Sequence, residues 1–160
     1  MKERKKMEFN LERFQRAQAF DYDTALREIR DGRKESHWMW YVFPQMKGLG
    51  HSSMADYYGI SGTEEARAYL ADPVLGPHLM EISEALMDVE DKNAAAIFGF
   101  PDVLKLRSSM TLFAAVSEEN SVFQRVLDAY YHGEKDERTL ELLRQEADSG
   151  CFPGNRPVME

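Results

Sequence analysis

A single cysteine, Cys151, stands among 160 residues, so no internal disulfide can form and nothing in the chain asks for an oxidising compartment. No apolar run approaches the roughly 20 residues needed to span a bilayer. The opening MKERKK has the charge of a signal-peptide n-region, but EFNLERFQRAQ stands where an apolar h-region would be. Both features point to a cytoplasmic chain with no membrane partner. Basic residues are also in deficit: 20 Lys and Arg against 28 Asp and Glu leave a formal net charge of −8. That charge repels phosphate backbones and argues against non-specific nucleic-acid binding.

Catalytic and metal signatures are absent as well. There is no H-E-x-x-H and no pair of cysteines, and His37, His51, His78 and His132 are scattered, so neither a metal site nor a cofactor is expected. GISGT lacks the last glycine of a nucleophile elbow, and Lys105 with Ser108 reads K-x-x-S, the reverse of the S-x-x-K of penicillin-binding enzymes. Cys151 has no nearby base to activate it as a nucleophile.

What is present is the composition of a globule: 43% hydrophobic and 30% charged residues, enough to form one domain with its own core. The composition of mobile ends marks residues 1–9 and 149–160, leaving 10–148 as a single helical domain. Apolar residues recur at helical spacing through most of it, and strict two-residue alternation is missing. Asn10 suits the cap of a helix carrying Phe14 and Gln18, and Asp21 or Asp23 the start of a second carrying Tyr22, Ala25, Leu26 and Ile29, closed by Gly32. Ser61 and Glu64 form an S-x-x-E capping box, and Pro77 suits a first helical turn. Pro101–Asp102 opens a helix to about Ser117. Ser121 starts one with Phe123, Val126, Leu127 and Tyr130 inward, and Asp136 starts the last, with Leu140, Leu143 and Ala147 inward. The expectation is an all-α bundle of about seven helices.

Residues 34 to 53, KESHWMWYVFPQMKGLGHSS, are the densest in chemistry. Trp38, Trp40, Tyr41 and Phe43 fall within six positions and include both tryptophans. Such aromatics serve equally as the spine of a core. Lys34, His37 and Gln45 interleave with them, and a polar group in such company needs a partner or a cavity. A tryptophan wall with lysine, histidine and glutamine suits a pocket for a flat polar ligand. Gly48, Gly50 and Ser52 then form either a plain turn with a helix cap or a loop whose free N–H groups meet an anion. In DVLKLRSSMTLFAAVS, Lys105, Ser108 and Ser109 share a face of an otherwise apolar helix. Either Lys105 snorkels and the serines bond back to the backbone, or the three face a cavity.

The blocks HWMWYVFPQMKGLG, EARAYLADPVLG, IFGFPDVLKLRSSMTLF and VLDAYYHGEKDERTLELL together resemble the domain-of-unknown-function family 1810, from about Phe14 to Leu143. Some of its members carry the label "calpastatin". The resemblance implies a compact helical domain and no established activity. Its motif positions fall here on Gly32, Lys34, His37, Trp38, Trp40, Phe43, Pro44, Gln45, Gly48, Leu49, Gly50, Lys105, Ser108, Thr111 and Phe113, with no departure. A calpastatin-type inhibitor works as an extended, disordered chain, which the packed-helix periodicity here contradicts.

The sequence therefore favours a binding pocket for a nucleotide-like or phosphorylated small molecule, with hydrolase or transferase chemistry as the activity it would serve. In that reading Trp38 or Trp40 stacks on a ring, Gly48, Gly50 and Ser52 meet phosphate, and Lys34, Gln45 and Ser108 complete the walls. Lys105 balances negative charge, and His37 is the acid–base candidate, since imidazole is the side-chain type that exchanges protons near neutrality. The alternative is a non-catalytic protein-interaction module with part of the aromatic run exposed.

Overall fold

The computed structural model describes residues 9–150, and the mobile ends expected on either side, with Cys151, lie largely or wholly outside them. Nine helices form among the described residues: α1 (Glu12–Arg30), α2 (Met39–Val42), α3 (Ser53–Tyr57), α4 (Thr63–Ala71), α5 (Leu75–Asp88), α6 (Ala94–Phe98), α7 (Asp102–Ala115), α8 (Val122–Tyr131) and α9 (Glu137–Gly150). The all-α expectation holds, and the helix number is higher than about seven. An isolated parallel bridge, Met46 to Ile60, is the sole β pairing among these residues.

Two differences account for the number. The first two expected helices are one, because nothing between Gln18 and Asp21 breaks a helix and the Asp21 carboxylate is engaged elsewhere, accepting from the Tyr41 hydroxyl. Asn10 does not cap it either. Leu11 holds that position without a side-chain bond. In the other direction, α2, α3 and α6 are single turns of four or five residues, too short to show periodicity. The side chain of Asn93 caps α6 by accepting from the Ala96 N–H at 3.1 Å.

Most helix ends follow their sequence signals. Gly32 takes φ +78° after α1, and its N–H and that of Arg33 close onto the Ile29 and Glu28 carbonyls. Ser52 and Ser121 cap α3 and α8 through their hydroxyls. The capping box of α4 is displaced by one residue. Gly62 is the cap, and Glu65 rather than Glu64 reaches back to the Ser61 N–H at 2.8 Å and its hydroxyl at 2.9 Å. Glu65 is held there by Arg13 at 3.0 Å, an ion pair with both side chains under a tenth exposed.

The core gathers where α1, α4, α7 and α8 surround α5 and each other, with Phe14, Tyr69, Leu79, Phe113 and Phe123 fully enclosed. Gly76 makes the α4–α5 crossing close enough that a Cβ there would lie 2.1 Å from the Leu70 carbonyl oxygen. The inward set expected on α9 is only partly met. Among its described side chains Thr139 is buried, Leu140 and Leu143 are half-buried, and Ala147 is exposed. Thr139 enters because Asp136 accepts both its N–H at 2.9 Å and its hydroxyl at 2.7 Å, which frees a polar side chain for burial.

Candidate functional site

The segment from Gly32 to Trp40 is anchored by Glu28, on the buried side of α1 and 4% exposed. One of its oxygens accepts from the Glu35 N–H at 2.8 Å, the Ser36 N–H at 3.0 Å and the Trp38 indole at 2.9 Å, and the other accepts from the Ser36 hydroxyl at 2.6 Å. Burial alone would push its carboxyl up, but those donors outweigh it and bring the pKa down from 4.5 to about 2. The Lys34 N–H completes the anchorage by donating to the Ile97 carbonyl of α6 at 2.7 Å.

Anchoring this segment against the start of α7 leaves a cleft of about 420 Å³ lined by Lys34, Glu35, His37, Met39, Trp40, Phe98, Phe100, Pro101, Asp102 and Lys105. Four of the residues singled out in the sequence thus share one cavity although the first and last, Lys34 and Lys105, lie 71 positions apart. The Lys34 ammonium reaches the Ser36 carbonyl at 2.6 Å and Asp102 Oδ2 at 2.8 Å, and lies 5.0 Å from the centre of the Trp38 ring. Lys105 lies 5.0 Å over Trp40 and 3.7 Å from Asp102 Oδ1, beyond hydrogen-bonding length. One carboxylate therefore stands between two ammonium groups, each also against an indole face. His37 is exposed, and Phe100, on the same lining, is 79% exposed.

The remaining candidates lie elsewhere. Trp38 is fully buried behind the cleft wall, with its N–H on Glu28. Ser108 is buried and donates to the Leu104 carbonyl at 3.2 Å, the back-bonding that its place in a helix allows. Gln45 lines a neighbouring gap of about 10 Å³ that it shares with Trp40 and Lys105, barely room for one water. Gly48 takes φ +103° in an exposed turn, Gly50 packs where a Cβ would lie 2.6 Å from that of Ala55, and Ser52 caps α3. This stretch has the geometry of the turn with a helix cap and does not line the cleft.

Glu28, Asp102 and Phe100 were not singled out in the sequence. Glu28 had a signal, an acid three residues after Ala25 and next to Ile29 on the inward stripe of α1. Asp102 read only as a helix opener, and Phe100 carried none beyond its place before Pro101.

A second polar cluster joins α1, α2, α4 and α5 beneath Tyr41. The Gln18 amide donates to the Tyr41 carbonyl at 2.7 Å and the Tyr69 hydroxyl at 2.9 Å, which turns its oxygen toward His78 Nδ1, 2.7 Å away. Nδ1 is thus the protonated nitrogen of His78. Its ring stacks on Tyr22 at 3.7 Å, and burial lowers its pKa. Among the described residues no three His, Cys, Asp or Glu side chains gather as metal ligands, and no helix is long and apolar enough to cross a membrane.

Fold and cleft together define an all-helical domain with an aromatic-walled cavity holding two lysines and one carboxylate between them. The chain belongs to the DUF1810 family, described as proteins of unknown function, whose model matches residues 8–143. It is also similar to the conserved hypothetical protein Rv1873 from Mycobacterium tuberculosis. That crystal structure shares 50% sequence identity with a TM-score of 0.83, over 85% of this chain and 97% of the other. No curated protein matches.

Proposed function

We propose that the cleft beside Trp40 binds a small, flat, anionic molecule of nucleotide-like or otherwise phosphorylated chemistry. The observation that carries this reading is the convergence of Lys34, His37, Trp40 and Lys105 on one cavity of about 420 Å³, a size within the range of small-molecule sites. Trp40 and Phe100 offer ring faces for stacking, and Lys105 offers an ammonium with no hydrogen bond among the described residues. Trp38 and Ser108 act from behind, as packing that fixes the wall. No hydrogen bond among the described residues orients the His37 ring, so the support is for binding. Hydrolase or transferase chemistry would require the ligand to orient that ring.

A thermal-shift screen against nucleotides, sugar phosphates and simple anions tests the proposal. A ligand at one hundred times its dissociation constant adds about 2.7 kcal/mol, a rise of several degrees for a domain this size. A hit that Lys105→Ala removes supports the cleft, and hits that survive that substitution place the site elsewhere.

The second reading is a non-catalytic interaction module. Phe100, which lines the cleft and is 79% exposed, and Leu104, 46% exposed on the helix that follows it, favour it. It anticipates no stabilisation by any member of the panel.

A further inference from the structure

If the cleft is a small-molecule site, the reading on which this inference rests, its balance of charges narrows the class of ligand. Lys34 is already committed. Its ammonium holds the Ser36 carbonyl at 2.6 Å and Asp102 at 2.8 Å against the Trp38 ring, with the side chain only 7% exposed. Moving it would strand Asp102 and uncover a buried ion pair, which is costly. Lys105 is the exchangeable cation, 3.7 Å from Asp102 and 23% exposed. Two acids, Asp102 and Glu35, line the same cavity as the two lysines, so apart from His37 the lining charges cancel.

We infer that the cleft accepts a flat ring bearing one anionic group, and that Asp102 is the specificity-determining residue that limits the ligand to one. The first anionic group draws Lys105 away from Asp102. A second finds no further uncommitted ammonium among the cleft residues and meets the carboxylates of Asp102 and Glu35, on a chain whose net charge is already −8. A cavity of about 420 Å³ is also near the small end for ligand sites, which suits a ring with one phosphate better than one with a polyphosphate tail.

The test is a calorimetric titration of adenosine, AMP, ADP and ATP at fixed ionic strength without divalent metal, against the unmodified protein, Asp102→Asn and Lys105→Ala. AMP is expected to bind tightest, with each added phosphate weakening binding roughly fivefold at the separations across such a cleft. Asp102→Asn is expected to erase or reverse that order, and Lys105→Ala to bring AMP down to the affinity of adenosine. Because Asp102 also pairs with Lys34, Glu35→Gln serves as a second variant that spares that ion pair, with a smaller shift in the same direction. ATP binding tighter than AMP in the unmodified protein, with loss in Lys105→Ala, keeps the cleft as the site and overturns the limit to one anionic group. An unchanged order in both acid variants overturns the role of Asp102. Binding of none of the four compounds to any of these proteins overturns the small-molecule reading itself.

Discussion

Replacing Glu28 by Gln is expected to loosen the cleft wall and cost the domain about 3 kcal/mol. The carboxylate is 4% exposed and accepts four donors, three of them from Glu35 and Ser36 and one from the Trp38 indole. Its pKa falls from 4.5 to about 2, and that gap, at about 1.4 kcal/mol per pH unit, amounts to roughly 3 kcal/mol of preference for the charged, folded form. Because the folded pKa lies below the unfolded one, the stabilisation is complete above about pH 4.5 and is lost as pH falls toward 2. A glutamine keeps an acceptor oxygen for the three N–H donors, but that oxygen is uncharged and its NH₂ replaces the acceptor of the Ser36 hydroxyl, so the charge-assisted bonds weaken. Thermal denaturation monitored by far-ultraviolet circular dichroism at pH 7 should show Glu28→Gln melting about 6 to 12 °C lower, at about 2 to 4 °C per kcal/mol for a domain of this size. The gap should narrow as pH falls from about 4.5 toward 2, because the unfolded carboxyl takes up its proton before the folded one does. A variant that melts within 2 °C of the parent at pH 7, or a gap that stays constant with acid, would refute the assignment of Glu28 as the anchor.

Other substitutions separate the cleft from its surroundings. Because burial lowers the His78 pKa, its stabilising contribution is whole above about pH 6.5 and declines as pH falls below it, as urea titrations between pH 7.5 and 5.5 should show. A His78→Gln variant is expected to flatten that limb. Gly76→Ala should cost about 1 to 3 kcal/mol, since the new methyl would lie 2.1 Å from the Leu70 carbonyl oxygen and must force α4 and α5 apart. Ser52→Ala should cost about 1 kcal/mol through loss of the α3 cap, yet leave affinity for any cleft ligand unchanged. A Ser52→Ala protein that loses ligand instead would restore the glycine loop as an anion site.

Legibility in the sequence tracked the physical reach of each signal. Long amphipathic stretches such as Phe123, Val126, Leu127 and Tyr130 gave their helices at once, because burial repeats along one face over several turns. Single-turn helices did not. The four residues Met39 to Val42 hold their shape through what packs on them, not through a pattern of their own. Aspartate misled in both directions. Asp21 read as a helix start but is a mid-helix partner of Tyr41, and Asp102 read only as a helix start but also joins two lysines. Lys34 and Lys105 stood out because a lysine among aromatics needs an explanation, whereas the acid between them looked ordinary. Trp38 and Trp40 were indistinguishable by residue type. Only the fold turns one to Glu28 in the core and the other to the cleft.

The two tryptophans are the only ones in the chain, so a Trp38→Phe protein reports on Trp40 alone. Titrating its fluorescence with AMP tests most directly whether the cleft is a ligand site. A saturable change in intensity that disappears when Lys105→Ala is added is the expected result. Emission that stays constant to millimolar AMP, or a change that persists without Lys105, would contradict it.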